Sequence, residues 1–583
     1  MPYPALAEVH RLEHHLGDPS DPQTVFSYRR CLALDDDEQF PAEICRQLED
    51  FGLQHYYVPA RHGGRLADYD TSIQLVRALA RRDLTVAIGH SASYLGAVCV
   101  WVAGNAAQGL RLASIIGAGE PVAWALTERE HGSDLLAGEV RAIRTGIGYR
   151  LTGEKWLINN AIRSSTLCVL ARTRDEGGPR GFSLFLVEKA RVPAGGVRWL
   201  PKVPTHGIRG VDVSGFRLER VKVTSANMIG PEGSGLETVL KALQLTRTLC
   251  AALSVGGTDH ALRLAMRVAD RREVSGCCLL EAPWMATTLA ECYADHLLAE
   301  AFCVVAGRAI QTLTPELSVI AAAIKYVLPV RAEAMIARLR RLLGPRVLLA
   351  GGPEGGMFGK VERDHRIVSL FDGNTLVNLT TLIGQFPLLV RAREAGRPPA
   401  AGLRTCCELS QNLPDGDLGR LSLVATRGCS LLLALPAAVE ELTALRRSEP
   451  ELDSVADAAR RLDAAVGTLH RLMDQLPPAR LDMPPVAFDL AGRLATAMAG
   501  AAALLLWLRN RDAAARRGSV TAALWCHGGW LHACLSRVLV ALGDSSHIQR
   551  VPHDVLLHVL GRQVASGVAP SLFSSPQPDG ELR

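Results

Sequence analysis

Trp124-Ala-Leu-Thr-Glu-Arg-Glu-His-Gly-Ser-Asp134 and Gly153-Glu-Lys-Trp-Leu-Ile-Asn-Asn160 are the two stretches whose residue types could do chemistry. The first reads as a short apolar strand opening into Thr127, Gly132, Ser133 and Asp134. Its hydroxyls and backbone N–H groups suit a polar, partly anionic ligand. The second belongs to a strand that begins near Tyr149, with turn residues on both sides. Two neighbouring strands that show hydroxyls and amides beside bulky apolar groups fit a flat aromatic cofactor with polar edges. Composition does not name that cofactor. Gly230-Pro-Glu-Gly-Ser-Gly235 looks like a phosphate loop, yet no Gly-Lys-Ser/Thr follows it. Asp372-Gly373 reads as a turn, and Arg271-Arg272 as a solvated charge pair at a helix end. None of the histidines has metal-ligand spacing, so no metal is expected.

The elements that must position these residues fall into an α–β–α order. Residues 1–120 read as a helical N-terminal domain. Ile44, Leu48 and Phe51 follow Pro41 at helical spacing, a helix runs from Tyr69 to Arg82, and Asp83 can cap the next one. Ala87 to Ile116 is apolar almost all round, as a buried helix pair would be. Residues 121–232 change period, with short β-like runs at 167–172, 182–187, 197–200, 211–218 and 221–224 between Gly and Pro, so a compact β-barrel or sandwich is expected. By strand alternation Trp156 should face away from Leu157. Residues 233–390 are helical again, with long stretches at 237–272, 283–311 and 316–343. Residues 391–402 form a Pro/Gly/Arg linker, and 403–583 an extra helical domain whose tail from Ser571 is expected to be disordered.

Bulk properties narrow the function. With 64 Lys+Arg against 59 Asp+Glu the net charge is +5, too near neutral to argue for nucleic acid or an anionic membrane. The 14 cysteines form no C-x-x-C pair, which fits a reducing cytoplasm better than a zinc or disulfide framework. The first ten residues lack a basic region followed by an apolar run, so no export signal is expected. The apolar run from Leu494 to Leu508 is short of the ~20 residues that span a bilayer; a buried helix, with no transmembrane segment, is expected.

The two opening motifs resemble the flavin-binding core of the acyl-CoA dehydrogenase family, with its Thr-Glu-x-x-x-Gly-Ser-Asp run and Lys-x-x-Ile-x-Asn strand. The likeness covers about residues 25–390. It implies a mainly α chain with a central β domain: a helical N-domain, a β-barrel middle domain and a four-helix C-domain, here with an additional C-terminal helical domain. That extra domain resembles the long-chain membrane-associated and the longer biosynthetic members; read alone, it is a packing or dimerisation domain. The implied cofactor is FAD, touched by Trp124, Leu126, Thr127, Gly132 and Ser133. Leu157 stands where a Trp packs on the flavin, and Asn159 where a Thr faces its N5 edge.

The resemblance also implies chemistry. Arg363-Asp-His-Arg-Ile-Val-Ser-Leu-Phe-Asp372-Gly-Asn-Thr375 aligns without gaps on the family's base-bearing segment, so Asp372 takes the place of the Glu in Tyr-Glu-Gly-Thr. Asp is one C–C bond shorter, roughly 1.5 Å, and a misplacement of about 1 Å can cost on the order of a hundredfold in rate. Asn374 follows as a cofactor contact, while Ser133, Arg247 and Gly373 become substrate contacts. Outside the resemblance Arg247 is a helix-surface residue. Arg272 and Ser275, in an Arg-x-x-Phe-Gly-like element, would meet the FAD of a neighbouring subunit, as would Leu348, Gly351 and Gly352. Such contacts imply a homo-oligomer, a dimer or more. The expected reaction is α,β-dehydrogenation of an acyl-CoA or acyl-carrier-protein thioester, with an electron-transfer flavoprotein as acceptor. The altered Leu157/Asn159 edge suits an oxidase or enoyl epoxidase using O2 instead, and an assembly scaffold is the non-enzymatic alternative.

Overall fold

Asp83 sits in extended backbone and accepts a hydrogen bond from the Val86 amide at 2.9 Å, so it starts helix Leu84–Ala103 as a side-chain cap. Asn105 and Gln108 close a reciprocal capping box at the head of the next helix, Ala106–Gly117. These elements come from a computed structural model that describes residues 3–573 apart from 177, 275, 350–352, 478–481, 516–520, 545 and 547–552. Its contacts fall into two units, one of residues 30–67 and 83–246, the other of residues 1–29, 68–82 and 247–583.

The first unit is built on one eight-stranded sheet. Its strands are β1 (Val122–Ala125), β2 (Arg141–Thr145), β3 (Gly148–Asn159), β4 (Thr166–Arg172), β5 (Phe182–Glu188), β6 (Val197–Leu200), β7 (Val213–Thr224) and β8 (Met228–Ile229). The hydrogen-bonded order is β6-β7-β3-β2-β4-β5-β8, with β1 parallel to β4. Alternation sends Phe216, Leu218, Val221 and Val223 of β7 into a core shared with Leu151, Leu167 and Phe185. β4 and β5 are buried on both faces and so read as continuous apolar runs. The two runs expected at 211–218 and 221–224 are a single strand, because a bulge with Arg220 at φ 57° absorbs the interruption. The Gly230–Gly235 segment is structural. A Cβ on Gly235 would lie 2.7 Å from the Ser183 Cα, so only glycine lets the next helix start there.

The second unit is helical, and its centre is a buried charge network. Arg77, on helix Tyr69–Arg82, holds Asp259 in a fork at 2.8 and 2.9 Å and reaches Glu300. Glu300 also accepts from the Ser571 hydroxyl and, at 2.6 Å, from the Leu572 amide. The Phe573 ring lies 4.8 Å from that of Tyr3. The expected disorder from Ser571 onward is therefore wrong for 571–573, which are buried; a carboxylate needing donors holds them.

The linker expected at 391–402 does not divide independent bodies. Arg308, buried on helix Pro283–Thr312, donates to the carbonyls of Thr405, Cys406, Glu408 and Gln411 at 2.9–3.0 Å. Glu316 likewise takes the Ser430 amide and hydroxyl at 2.7 and 2.6 Å. Burying these charges requires the later segment to pack on the earlier helices, so the extra helices continue the same unit. Among the described residues two helices, Leu84–Ala103 and Pro485–Ala514, are long and apolar enough to cross a membrane. Their most apolar windows are 78% and 94% buried inside the protein, as in core helices.

Candidate active site

In the first unit the two opening motifs lie side by side. The Trp156 amide donates to the Thr127 carbonyl at 3.2 Å, and the Thr127 hydroxyl donates to the Trp156 carbonyl at 2.7 Å. Beneath them Lys155 donates to the Leu126 carbonyl at 2.7 Å and to Glu128 at 2.8 Å. Glu128 also takes the amides of Glu139 at 2.6 Å and Val140 at 3.1 Å. Burial pushes the Glu128 carboxyl up, but Lys155 and the two amides outweigh it and hold the group below the usual carboxylate range. The Glu and the Lys of the two motifs are thus a buried pair that welds the strands together. Sequence reasoning passed over both, although each stood inside a motif already singled out.

The edge of this assembly is shaped by a bulge. The β3–β7 register slips between Trp156 and Ile158, and Leu157 takes φ 58° and stands 45% exposed. For a non-glycine residue this conformation costs roughly 1–2 kcal/mol. Simple alternation therefore fails here. Trp156 is half-buried with the Arg129 guanidinium 4.5 Å over its ring. Asn159 has its Oδ1 buried with no hydrogen-bond donor among the described residues, while its Nδ2 reaches the Ile88 carbonyl at only 3.5 Å. Trp124 and Leu126 are half-buried; Gly132 and Ser133 are exposed, and open space lies where a Cβ on Gly132 would be.

In the second unit Asp372 and Gly373 are consecutive left-handed residues, at φ 54° and 90°. The turn ends at Asn374, whose side chain accepts from the Val377 amide at 3.0 Å and caps helix Thr375–Ile383. Arg247, buried, donates from Nε to the Asp372 carbonyl at 3.0 Å. A Cβ on Gly373 would come within 2.6 Å of the Arg247 Nη2, so the guanidinium lies flat against the turn. Arg247 is accordingly not a helix-surface residue. The Cys250 thiol donates to Asp372 Oδ2 at 3.4 Å. Lys325, also buried, donates to the Val368 carbonyl at 2.6 Å, and its ammonium lies 5.1 Å from the centre of the Phe371 ring. Burial pushes the Cys250 thiol well up, and the Asp372 charge adds to it. Burial likewise pulls Lys325 down, with Cys250 and Asp372 pulling the other way. Cys250 and Lys325 carry no motif, and only the folded chain brings them to Asp372.

The remaining expected residues are dispersed. Arg272 is half-buried at the end of helix Ala251–Arg271, ahead of a small hairpin of Glu273–Val274 and Cys277–Cys278. Leu348 is 80% exposed at the end of a short 3-10 turn. Ser275, Gly351 and Gly352 lie outside the described residues. Among the described residues no three His, Cys, Asp or Glu side chains gather as a metal site would require.

Residues 29–120, 123–221 and 233–385 match the families described as "Acyl-CoA dehydrogenase, N-terminal domain", "middle domain" and "C-terminal domain". A cyclohex-1-ene-1-carbonyl-CoA dehydrogenase of Syntrophus aciditrophicus is 29% identical over 42% of this chain and 59% of its own length. The protein of the same name from Geobacter metallireducens is 33% identical over 41% of this chain and 62% of its own. The chain thus spans about three fifths of the length of these curated relatives. An acyl-CoA dehydrogenase complexed with FAD from Bacillus anthracis superposes with a TM-score of 0.62 at 18% identity, covering 96% of this chain and 92% of its own. That fold likeness takes in the extra C-terminal helices. With all three of its domains matched in order across most of residues 29–385, the chain belongs to the acyl-CoA dehydrogenase family.

Proposed function

We propose that this chain is an FAD-dependent dehydrogenase of acyl thioesters in which Asp372 removes the α-proton. The observation that carries the reading is the left-handed Asp372–Gly373 turn, held by Arg247 at its backbone and by Cys250 at its carboxylate. A general base must keep a fixed approach of about 2.6–3.2 Å to its proton. An aspartate held at its backbone and at its carboxylate can keep that approach without the extra methylene of Glu.

The residues at the bulged edge fit FAD. Asn159 presents a buried amide oxygen that asks for an N–H donor, Leu157 an apolar side chain in the open, and Gly132 the space for a bulky group. When bound, FAD supplies the two-electron acceptor for the hydrogen leaving the β-carbon. Asp372 takes the α-proton, and the charge that develops on the thioester oxygen calls for a backbone N–H donor from the same turn. Arg247 keeps that turn in place. The relatives' names favour a CoA thioester; a carrier-protein thioester and an electron-transfer flavoprotein as acceptor belong to the same proposal. So does a homo-oligomer, which sedimentation would detect.

The test is α-proton exchange from an acyl thioester into heavy water, with flavin content measured alongside. Asp372→Asn should bind flavin normally and lose about two to four orders of magnitude of exchange. Exchange and turnover at the wild-type level would overturn the reading. The exposure of Leu157, with no aromatic screen supplied at that position, favours a second reading, reoxidation by O2. Hydrogen peroxide formed in equal amount with enoyl product would establish it.

A further inference from the structure

We propose that Cys250 is a positioning residue for the Asp372 base, its thiol fixing the rotation of the carboxylate by donating to Oδ2. The inference rests on the reading of Asp372 as the base. Its geometry is specific. Helices Gly235–Leu249 and Ala251–Arg271 are interrupted by one residue, and that residue is Cys250. Its side chain is 5% exposed and meets Asp372 Oδ2 at 3.4 Å, an ordinary length for a sulfur donor.

Aspartate needs such a hold here. Its backbone stands at φ 54°, and its short side chain has one fewer bond than Glu with which to recover a misplaced carboxylate. Arg247 fixes the backbone of the turn but touches the main chain, not the carboxylate, in its 3.0 Å bond. The thiol, by contrast, bonds the carboxylate itself, at Oδ2.

The thiol can do this only while protonated, and its surroundings keep it so. The charged groups facing it are Asp372 from the turn, Arg247 from the preceding helix and Lys325 from helix Leu317–Leu343. Burial and Asp372 push the thiol well up, which outweighs the two cations. Glu333, on the same helix as Lys325, acts on the lysine. His365, on helix Pro353–His365, donates to or accepts from the Ser254 hydroxyl at 3.0 Å and is held down to about 4 by burial, so it stays uncharged at neutral pH. The thiol is therefore a neutral donor across the working range. A donor to the charged form lowers the proton affinity of a carboxylate.

Two measurements on the flavin-loaded full chain test this. The first is the infrared S–H stretching band of Cys250, identified as the band lost in Cys250→Ser. Asp372→Asn should move it to higher frequency, because the amide is a weaker acceptor than the carboxylate. The second is the pH dependence of flavin reduction by an acyl thioester. Cys250→Ala should move the acid limb up by about half to one pH unit and lower the maximal rate roughly tenfold, with KM little changed. Cys250→Ser, which keeps a donor, should recover most of both. An S–H band indifferent to Asp372→Asn, or an acid limb that stays in place in Cys250→Ala, overturns the assignment. If Asp372→Asn itself reduces flavin at the wild-type rate, the reading of the base fails first and the role of Cys250 with it. An inactive Asp372→Asn beside an unmoved S–H band refutes Cys250 alone.

Discussion

Replacing Lys155 by Met probes the pair that joins the two motifs. Lys155 is 1% exposed and Glu128 8%, with 2.8 Å between their charged atoms. At an effective dielectric of about 20 the gross attraction is about 6 kcal/mol, and the cost of desolvating both ions takes back most of it. The pair as a whole therefore adds little stability, but breaking it leaves a buried anion and should cost about 3–5 kcal/mol. Glu128 keeps its two amide donors, which places Lys155→Met toward the lower end. Glu128→Gln added to Lys155→Met removes the stranded charge, although the one amide oxygen can accept from only one of the two amides, which bond different oxygens of Glu128. The double variant should regain about 1–2 kcal/mol. Native-state hydrogen exchange at the amides of β1 and β3 reads the local opening energy directly. A Lys155→Met protein within about 1 kcal/mol of wild type, or a double variant no more stable than the single, would falsify this account of the motifs.

Two further outcomes follow from the turn and the buried histidines. Gly373→Ala places a Cβ at φ 90° and 2.6 Å from the Arg247 Nη2; it should lower stability by about 1–2 kcal/mol and slow flavin reduction at least tenfold, which thermal melts and stopped-flow absorbance would check. His90 and His365 are each held at about 4 by burial, against about 6.5 in an unfolded chain. The folded protein therefore binds fewer protons than the unfolded one between these values. The stability each supplies is full above pH 6.5, lost as pH falls toward 4, and worth roughly 3 kcal/mol. Asp70, raised to about 7 mainly by burial, slopes the opposite way over the whole of that window. The check is accordingly the difference between wild type and His365→Gln in denaturation at pH 7 and pH 5, which should shrink by about 2 kcal/mol on acidification.

Much of the fold was legible because it depends on local pattern. Tyr69–Arg82 and its successor capped by Asp83 are read from helical spacing and one cap residue. Pro283–Thr312 and Leu317–Leu343 lie within a residue of the expected stretches. What escaped depends on partners far along the chain. β2, Arg141–Thr145, is short and charged, and pairing with β3 makes it a strand. The bulges at Arg220 and Leu157 answer to register with β7, which no single strand records. Arg308 and Glu300 pull in segments about a hundred residues or more away, so the linker and tail look independent in sequence and are not in the fold. At the site, motif resemblance named Asp372 and Arg247, which the fold brings together. Cys250 and Lys325 sit in ordinary helical pattern, and nothing short of tertiary structure sets them beside Asp372.

Asp372 as the base of a flavin-dependent thioester dehydrogenation is tested most directly by anaerobic mixing. The purified, flavin-loaded protein would meet a panel of acyl-CoA and acyl-carrier-protein thioesters while the flavin absorbance is followed. Rapid bleaching by one acyl class, lost in Asp372→Asn that still holds flavin, is the expected result and names the substrate class. Flavin that no thioester reduces, or bleaching that survives unchanged in Asp372→Asn, would contradict it.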